Sequence, residues 1–221
     1  MQTFFCLHES DGLRTGLLNE NGRHREETLT AREIGKFVPR REQRKIPQAA
    51  IMAGVLFEHF ELNNMIRDLG GNPEQIPLVV CNRFANWDHV ADAMAPSPVI
   101  TARGIDSYVA TAWFPAAVQG YLTIRYSNTA QAITLSTKSN PIVATMVDHL
   151  RSDALGGMAV LASFEYVPKR IGQSLVTGDV PQLYGAVSLI TAQDSVAAIE
   201  IALSQHRAIA AGAIHRTPEL V

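Results

Sequence analysis

The residues best placed to do chemistry are Ser136, Thr137, Lys138 and Ser139, followed by Asn140. They stand at a polar corner between a β-branched run that begins at Gln131 and a helical pattern that opens at Pro141. A hydroxyl at the carboxyl end of a strand faces the free N–H groups of the next helix. It gains from the positive end of the helix dipole and can serve as an acyl-transfer nucleophile. Ser139 is the sharpest candidate, with Asp148 and His149 on the following helix. Distance opposes a local triad: Ser139 and His149 lie almost three helical turns apart, ~15 Å along the axis, whereas a nucleophile and its base must sit within ~3 Å. Asp148 and His149 are neighbours on one helix and point ~100° apart, so neither orients the other. A Ser-dependent acyl hydrolase or transferase would need a distant base such as His59 or His89. The competing reading makes Ser139 and Asn140 helix caps, a position that favours both residue types.

Other chemistry-bearing residues are scattered. Arg40, Arg41, Arg44 and Lys45 crowd the heptad PRREQRK, which reads either as a solvated helix start or as a docking patch for an acidic partner. The histidines at 8, 24, 59, 89, 149, 206 and 215 show no metal-ligand spacing, so neither a metal nor a cofactor is expected. Cys6 and Cys81 are too few for a disulfide framework, and Cys81 reads as a small core hydrophobe at the end of a buried strand. Gly70-Gly71 is turn chemistry rather than a phosphate loop.

The elements that must position these residues follow from the apolar pattern. The chain has 221 residues, of which 47% are hydrophobic and 18% charged, a balance that excludes intrinsic disorder. A net charge of -2 gives no electrostatic case for nucleic acid or an anionic membrane. Apolar windows fall short of the ~20 residues a bilayer requires, and the N-terminus lacks a basic leader pattern, so a cytoplasmic location is expected. Strands are expected at residues 3–7, 76–82, 131–137, 156–165 and 183–190. Helices are expected at 48–62, 87–94, 141–150 and 195–211, with Pro47 and Pro141 in first-turn positions. The charged stretch 19–44 reads as a solvated loop with a short helix, and 119–125 as an apolar segment with small residues. The strand, corner, helix and strand over 131–165 form a βαβ unit, so the fold class is a layered α/β architecture.

The order of segments resembles the N-terminal half of a β-ketoacyl synthase of the thiolase-like fold. FVPRREQRKIPQAAIMAGVLFEHF resembles that family's Arg-rich turn and long buried helix, and IPLVVCNRFANWD the strand and loop after it. WFPAAVQGYLTIRY resembles the segment before the nucleophile strand, QAITLSTKSNPIVATMVDHLRSD the strand, elbow and helix, and GGMAVLASFEYVP and LYGAVSLITAQ the strands beyond. The likeness covers most of residues 30–195 and implies one ketosynthase-like N-terminal domain over 1–221, with a truncated C-terminal half.

Departures from the family set the functional expectation. The family elbow carries a cysteine nucleophile, whereas Ser136, Thr137, Lys138 or Ser139 fills that place here and no cysteine follows Cys81. The family's catalytic histidines and lysine lie in the C-terminal half. The resemblance thus implies a degenerate elbow in a non-catalytic subunit, similar to the chain-length factors of aryl-polyene and coronafacic-acid-type clusters. Such a subunit pairs with a full-length ketosynthase and an acyl carrier protein in polyketide or fatty-acid-type biosynthesis. By the same resemblance, the strand at 132–137 runs antiparallel to its counterpart across a homo- or heterodimer. Trp113, Phe114, Ala132, Ile133, Thr134 and Leu135 then fall at the interface or acyl tunnel, and Arg40, Arg41, Arg44 and Lys45 at the carrier protein. A self-associating structural protein is the third reading.

Overall fold

The computed structural model describes residues 1–8, 11–19, 24–82, 114–137, 139–166 and 183–210. The helix expected at 87–94 and the expected interface residue Trp113 lie outside them.

Strand β4 (Leu78–Cys81) organises the molecule. Its four residues, LVVC, are all buried, as a strand covered on both faces requires. It pairs in parallel with β5 (Ala132–Leu135) on one side and with β6 (Ala159–Tyr166) on the other. β7 (Leu183–Ile190), β1 (Thr3–His8), β2 (Leu13–Leu18) and β3 (His24–Leu29) extend the sheet through antiparallel pairs. The order among the described residues is β3-β2-β1-β7-β6-β4-β5. The helix linking β5 to β6 therefore makes a βαβ crossover that skips the position held by β4.

Alternation along each strand divides the core into two layers. Val80, Val160, Ala162, Phe164, Val187, Phe4 and Cys6 face α3 (Gln48–His59) and its neighbours α1 (Ala31–Phe37) and α4 (Leu62–Asp68). Val79, Cys81, Ala159, Leu161 and Ile190 face the opposite layer of two long helices, which the label order places after α2 (Arg40–Gln43) and α5 (Ala117–Arg125). These are α6 (Asn140–Ser152) and α7 (Val196–Ala210). Helix α3 is buried at every residue from Ala49 to Phe57, so the apolar run read from the sequence is covered within the chain.

Two segments differ from the sequence expectation. Residues 19–44 are not a loop: they contain β3, α1 and α2. HREETL has no apolar alternation and becomes a strand only by pairing with β2 at the sheet edge, where Glu26 and Glu27 face solvent and discourage further pairing. Helix α1 opens with a reciprocal capping box between Thr30 and Glu33, whose signature Thr-x-x-Glu was present in the sequence. Residues 119–125 belong to helix α5, which buries only Val118 and Leu122 and so shows a weak periodic signal.

The close approach of α5 to α3 depends on Gly54. A Cβ there would meet Tyr121 Oη and Val38 Cγ2, both at 2.7 Å, whereas one on Gly120 of α5 would meet nothing within 4 Å. Gly54→Ala is expected to destabilise by about 1–3 kcal/mol through overpacking. Gly120→Ala is expected to stabilise by about 0.5–1 kcal/mol by reducing backbone entropy in a helix. Urea denaturation midpoints of the two variants check both signs.

Candidate functional site

Register brings the polar corner together. Leu135 and Ser163 both lie level with Cys81; β4 and β5 end there, at the kind of edge where α/β folds collect ligands, while β6 runs on to Tyr166. Asn82 follows directly: its backbone N–H donates to Leu135 O at 3.0 Å and its side-chain Nδ2 to Pro115 O at 3.2 Å. Ser136 Oγ donates to Asn82 O at 2.8 Å, so that hydroxyl proton is engaged with backbone. Ser139 N–H donates to Thr137 Oγ1 at 3.1 Å, closing a hydroxyl turn. Ser139 occupies the N-cap position of α6, but its side chain makes no capping bond. Asn140 does not cap either; its Nδ2 donates to Ser204 Oγ at 3.2 Å and ties the corner to α7. Lys138 lies outside the described residues.

None of the described bases expected for Ser139 is brought to it. His149 is exposed and faces Asp153 at 3.8 Å, while Asp148 holds Arg151 at 2.5 Å. His59 Nε2 meets Glu27 at 2.8 Å and Thr15 at 3.4 Å, on β3 and β2. From β2 to β5 is five inter-strand spacings, roughly 24 Å at 4.8 Å each. His89 lies outside the described residues.

The histidine that sequence reasoning passed over is His206. It is 1% exposed, on α7, within the apolar stripe Ile199, Ala202, Leu203, Ile209. That i, i+3, i+4 spacing was the signal that it points inward. The sheet presents Thr3, Ser188 and Ser163 to it, all buried. Proton counting assigns every bond. Thr3 Oγ1 donates to Gln205 Oε1 at 2.9 Å, which uses its only proton. Ser188 must then donate to Thr3 at 2.8 Å, and His206 Nε2–H to Ser188 at 3.0 Å. Nδ1 is left as the acceptor for Ser163 Oγ at 2.8 Å. Burial holds the imidazole neutral, its pKa pushed down to about 3. Ser163 also lines a cavity of about 20 Å³ with Thr137, Cys81, Val143, Tyr184, Leu203 and Arg207.

A second polar joint fixes the basic turn. Arg125 at the end of α5 donates to Glu42 of α2 at 2.6 Å, to Glu58 of α3 at 3.2 Å and to Phe37 O at the end of α1 at 2.8 Å. Burial alone would lower the pKa of this guanidinium; the Glu42 hydrogen bond together with the Tyr121 and Tyr126 interactions outweighs it, and the net direction is up. Arg40, Arg41, Arg44 and Lys45 face solvent on α2 and the turn after it. Beside them a groove of about 560 Å³ runs between Lys45, Ile46, Pro47 and the α5 residues Ala117, Gly120, Tyr121 and Ile124. Ile124 is 84% exposed and Phe114 65%.

The expected interface strand β5 is half-buried along its length and ends the sheet among the described residues. Gln131 O and Leu135 O accept from Leu78 of β4 and from Asn82 just after it. The backbone groups of Ala132 and Thr134, of opposite parity, therefore point to the outer side.

This arrangement defines a class of fold, the mixed α/β layering of thiolase-like, ketosynthase-type proteins. It is similar to the structure of a type II polyketide synthase acyl-carrier protein in complex with its ketosynthase bound to the hexaketide (AntDE:AntF). That match has a TM-score of 0.59 and 23% identity, over 75% of this chain and 53% of that one. It is also similar to a ketosynthase, ApeO, in complex with its chain length factor, ApeC, from Xenorhabdus doucetiae. There the TM-score is 0.51 and the identity 12%, over 76% of this chain and 64% of that one. The chain thus spans between about half and two thirds of the length of the chains it resembles. No family model and no curated protein matches. Among the described residues no helix is long and apolar enough to cross a membrane.

His206 makes stability depend on pH in a defined direction. Its folded pKa, about 3, lies below the ordinary value of 6.5, so between these values the unfolded chain binds more protons. Stability contributed by the neutral imidazole is full above pH 6.5 and is lost as pH falls toward 3, with a slope approaching about 1.4 kcal/mol per pH unit. His206→Gln is expected to flatten the urea-midpoint profile between pH 7 and 4.5 relative to the parent. Parallel profiles would show that burial does not hold the imidazole neutral.

Proposed function

We propose that this chain is a ketosynthase-like subunit of the chain-length-factor type, one that pairs with a complete ketosynthase in polyketide-type biosynthesis and does no condensation itself. The observation that carries the reading is β5: the outermost strand among the described residues, with outward backbone groups, feeding an elbow that has no thiol. An edge of that kind is a pairing surface when a partner strand lies against it, and an aggregation hazard when none does. Both structural neighbours are complexes that contain a ketosynthase, which supports a partner of the same fold.

The elbow supports the non-catalytic role. Condensation on this fold needs a polarisable nucleophile and donors for the thioester oxyanion. In this chain Ser136 spends its proton on Asn82 O and Thr137 accepts from Ser139 N–H. Ala132, Ile133, Thr134 and Leu135, with Trp113 and Phe114 ahead of them, are the interface and tunnel residues in this reading. Arg40, Arg41, Arg44 and Lys45 are the contact for an acidic acyl carrier protein. Arg125 holds them in place by fastening α2 to α3 and α5.

Thr134 is the discriminating position, because its backbone N–H points away from β4. Thr134→Pro removes an outward donor without breaking a β4 bond, and it is expected to weaken pairing with a co-expressed ketosynthase by at least about tenfold in native mass spectrometry, with β content unchanged by circular dichroism. A chain that stays monomeric with every ketosynthase offered, or that condenses malonyl and acyl thioesters unaided, would overturn the proposal. A homodimer lost in Thr134→Pro with no ketosynthase affinity would instead favour self-association. Arg41→Glu with Arg44→Glu is expected to leave pairing intact and to cut carrier-protein affinity about tenfold, together with its salt dependence. Surface plasmon resonance at two ionic strengths checks this.

A further inference from the structure

We propose that Ser163 and His206, oriented by Ser188, form an acyl-accepting pair beneath the elbow, distinct from the elbow hydroxyls. Three features converge on Ser163. Its hydroxyl proton is directed at His206 Nδ1 at 2.8 Å, the distance at which a base activates a nucleophile. The base is itself oriented: Nε2–H donates to Ser188 at 3.0 Å, and the chain Ser188–Thr3–Gln205 fixes the tautomer. A third group holding the imidazole is the logic of a catalytic triad, with a serine in the place of a carboxylate. Ser163 also lies level with Cys81, three residues before the end of β6, and lines the cavity shared with Thr137 and Arg207. Arg207 is exposed and marks the solvent side of that cavity.

The step balances without a further reagent. Ser163 Oγ attacks the carbonyl carbon of a thioester as its proton passes to His206 Nδ1. The C–S bond breaks, and the departing thiolate takes the proton from Nδ1. The products are an oxyester on Ser163 and a free thiol, with His206 returned to its starting tautomer. Arg207 brings positive charge to the cavity where the carbonyl oxygen becomes an oxyanion. A cavity of about 20 Å³ holds roughly one water, so even an acetyl thioester reaches Ser163 only when the packing around the cavity opens, and the acceptable acyl group is small. A neutral imidazole without a carboxylate partner is a weak base, so the reaction is stoichiometric self-acylation rather than turnover.

The test needs no ketosynthase, so its outcome is independent of the pairing proposal. The full chain is incubated with the acetyl thioester of N-acetylcysteamine, and acetylated peptides are mapped by mass spectrometry. One acetyl group on Ser163 is expected. It should form at least about tenfold more slowly in His206→Gln, whose carboxamide lacks a basic nitrogen, and severalfold more slowly in Ser188→Ala, which keeps the pair but loosens the imidazole. Acetylation confined to lysines or Cys81, no acetylation at all, or an unchanged Ser163 rate in both variants would each overturn the assignment.

Discussion

The double pairing of β4 is the constraint from which the remaining structure follows. Four apolar residues accept a parallel strand on each side, so every side chain on them must meet a helix layer, and neither face can carry an unpaired polar group cheaply. Both layers are therefore closed by helices rather than by water. The price appears where the strands stop. At Asn82 and Ser136 the backbone leaves the ladder, and its carbonyl and amide groups have to be satisfied locally. Asn82 bonds Leu135 through its main chain and Pro115 through its side chain, and its carbonyl takes the Ser136 hydroxyl. The polar character of the elbow is thus first a consequence of ending a buried parallel sheet.

The two helix layers meet their polar obligations in different ways. On the α3 side, one cation takes up the burden: Arg125 links three other helices through two carboxylates and a carbonyl, near enough to the surface that water shares the desolvation cost. Where α7 meets the sheet, the polar joint at His206 carries no charge. His206 is neutral, and its partners are hydroxyls of β6 and β7, the latter bonded in turn to Thr3 of β1. Each hydroxyl has one proton, so fixing the first bond fixes all of them. Such a chain specifies the seating of α7 on the sheet more tightly than apolar contact can, because a shift of one residue would leave a buried acceptor unmatched.

How much of this was legible in the sequence depends on whether the cause was local. β7 is a continuous apolar run with clear ends, and its observed bounds match the reading. The β5–corner–α6–β6 unit was legible because β-branched residues, a Ser/Asn corner and Pro141 mark each boundary. β3 was not legible: HREETL gains its strand from β2, and five charged and polar residues with a single leucine have no periodicity that could announce it. The capping box at Thr30 was legible and went unread. At the site, the failure of the Ser139–His149 pair followed from helix geometry alone. The pairing of Ser163 with His206 joins residues 43 apart and needs the sheet order, since adjacent strands must first present Ser163 and Ser188 to one helix turn.

The relation between these two places explains how such a strand–helix corner can stand without a nucleophile. The fold supplies the corner whatever residue occupies it: a parallel strand must end, a helix must begin, and the first-turn N–H groups of that helix need acceptors. In a catalytic version those donors and the dipole stabilise charge on a nucleophile. Here Thr137 takes one N–H and Asn140 reaches across to α7, so the corner's hydrogen-bonding capacity is turned toward holding helices together. The nucleophile-like geometry that remains lies two strand positions inward, at Ser163. It is sheltered by the packing of α7 on the sheet, which a turnover enzyme would have to be able to open.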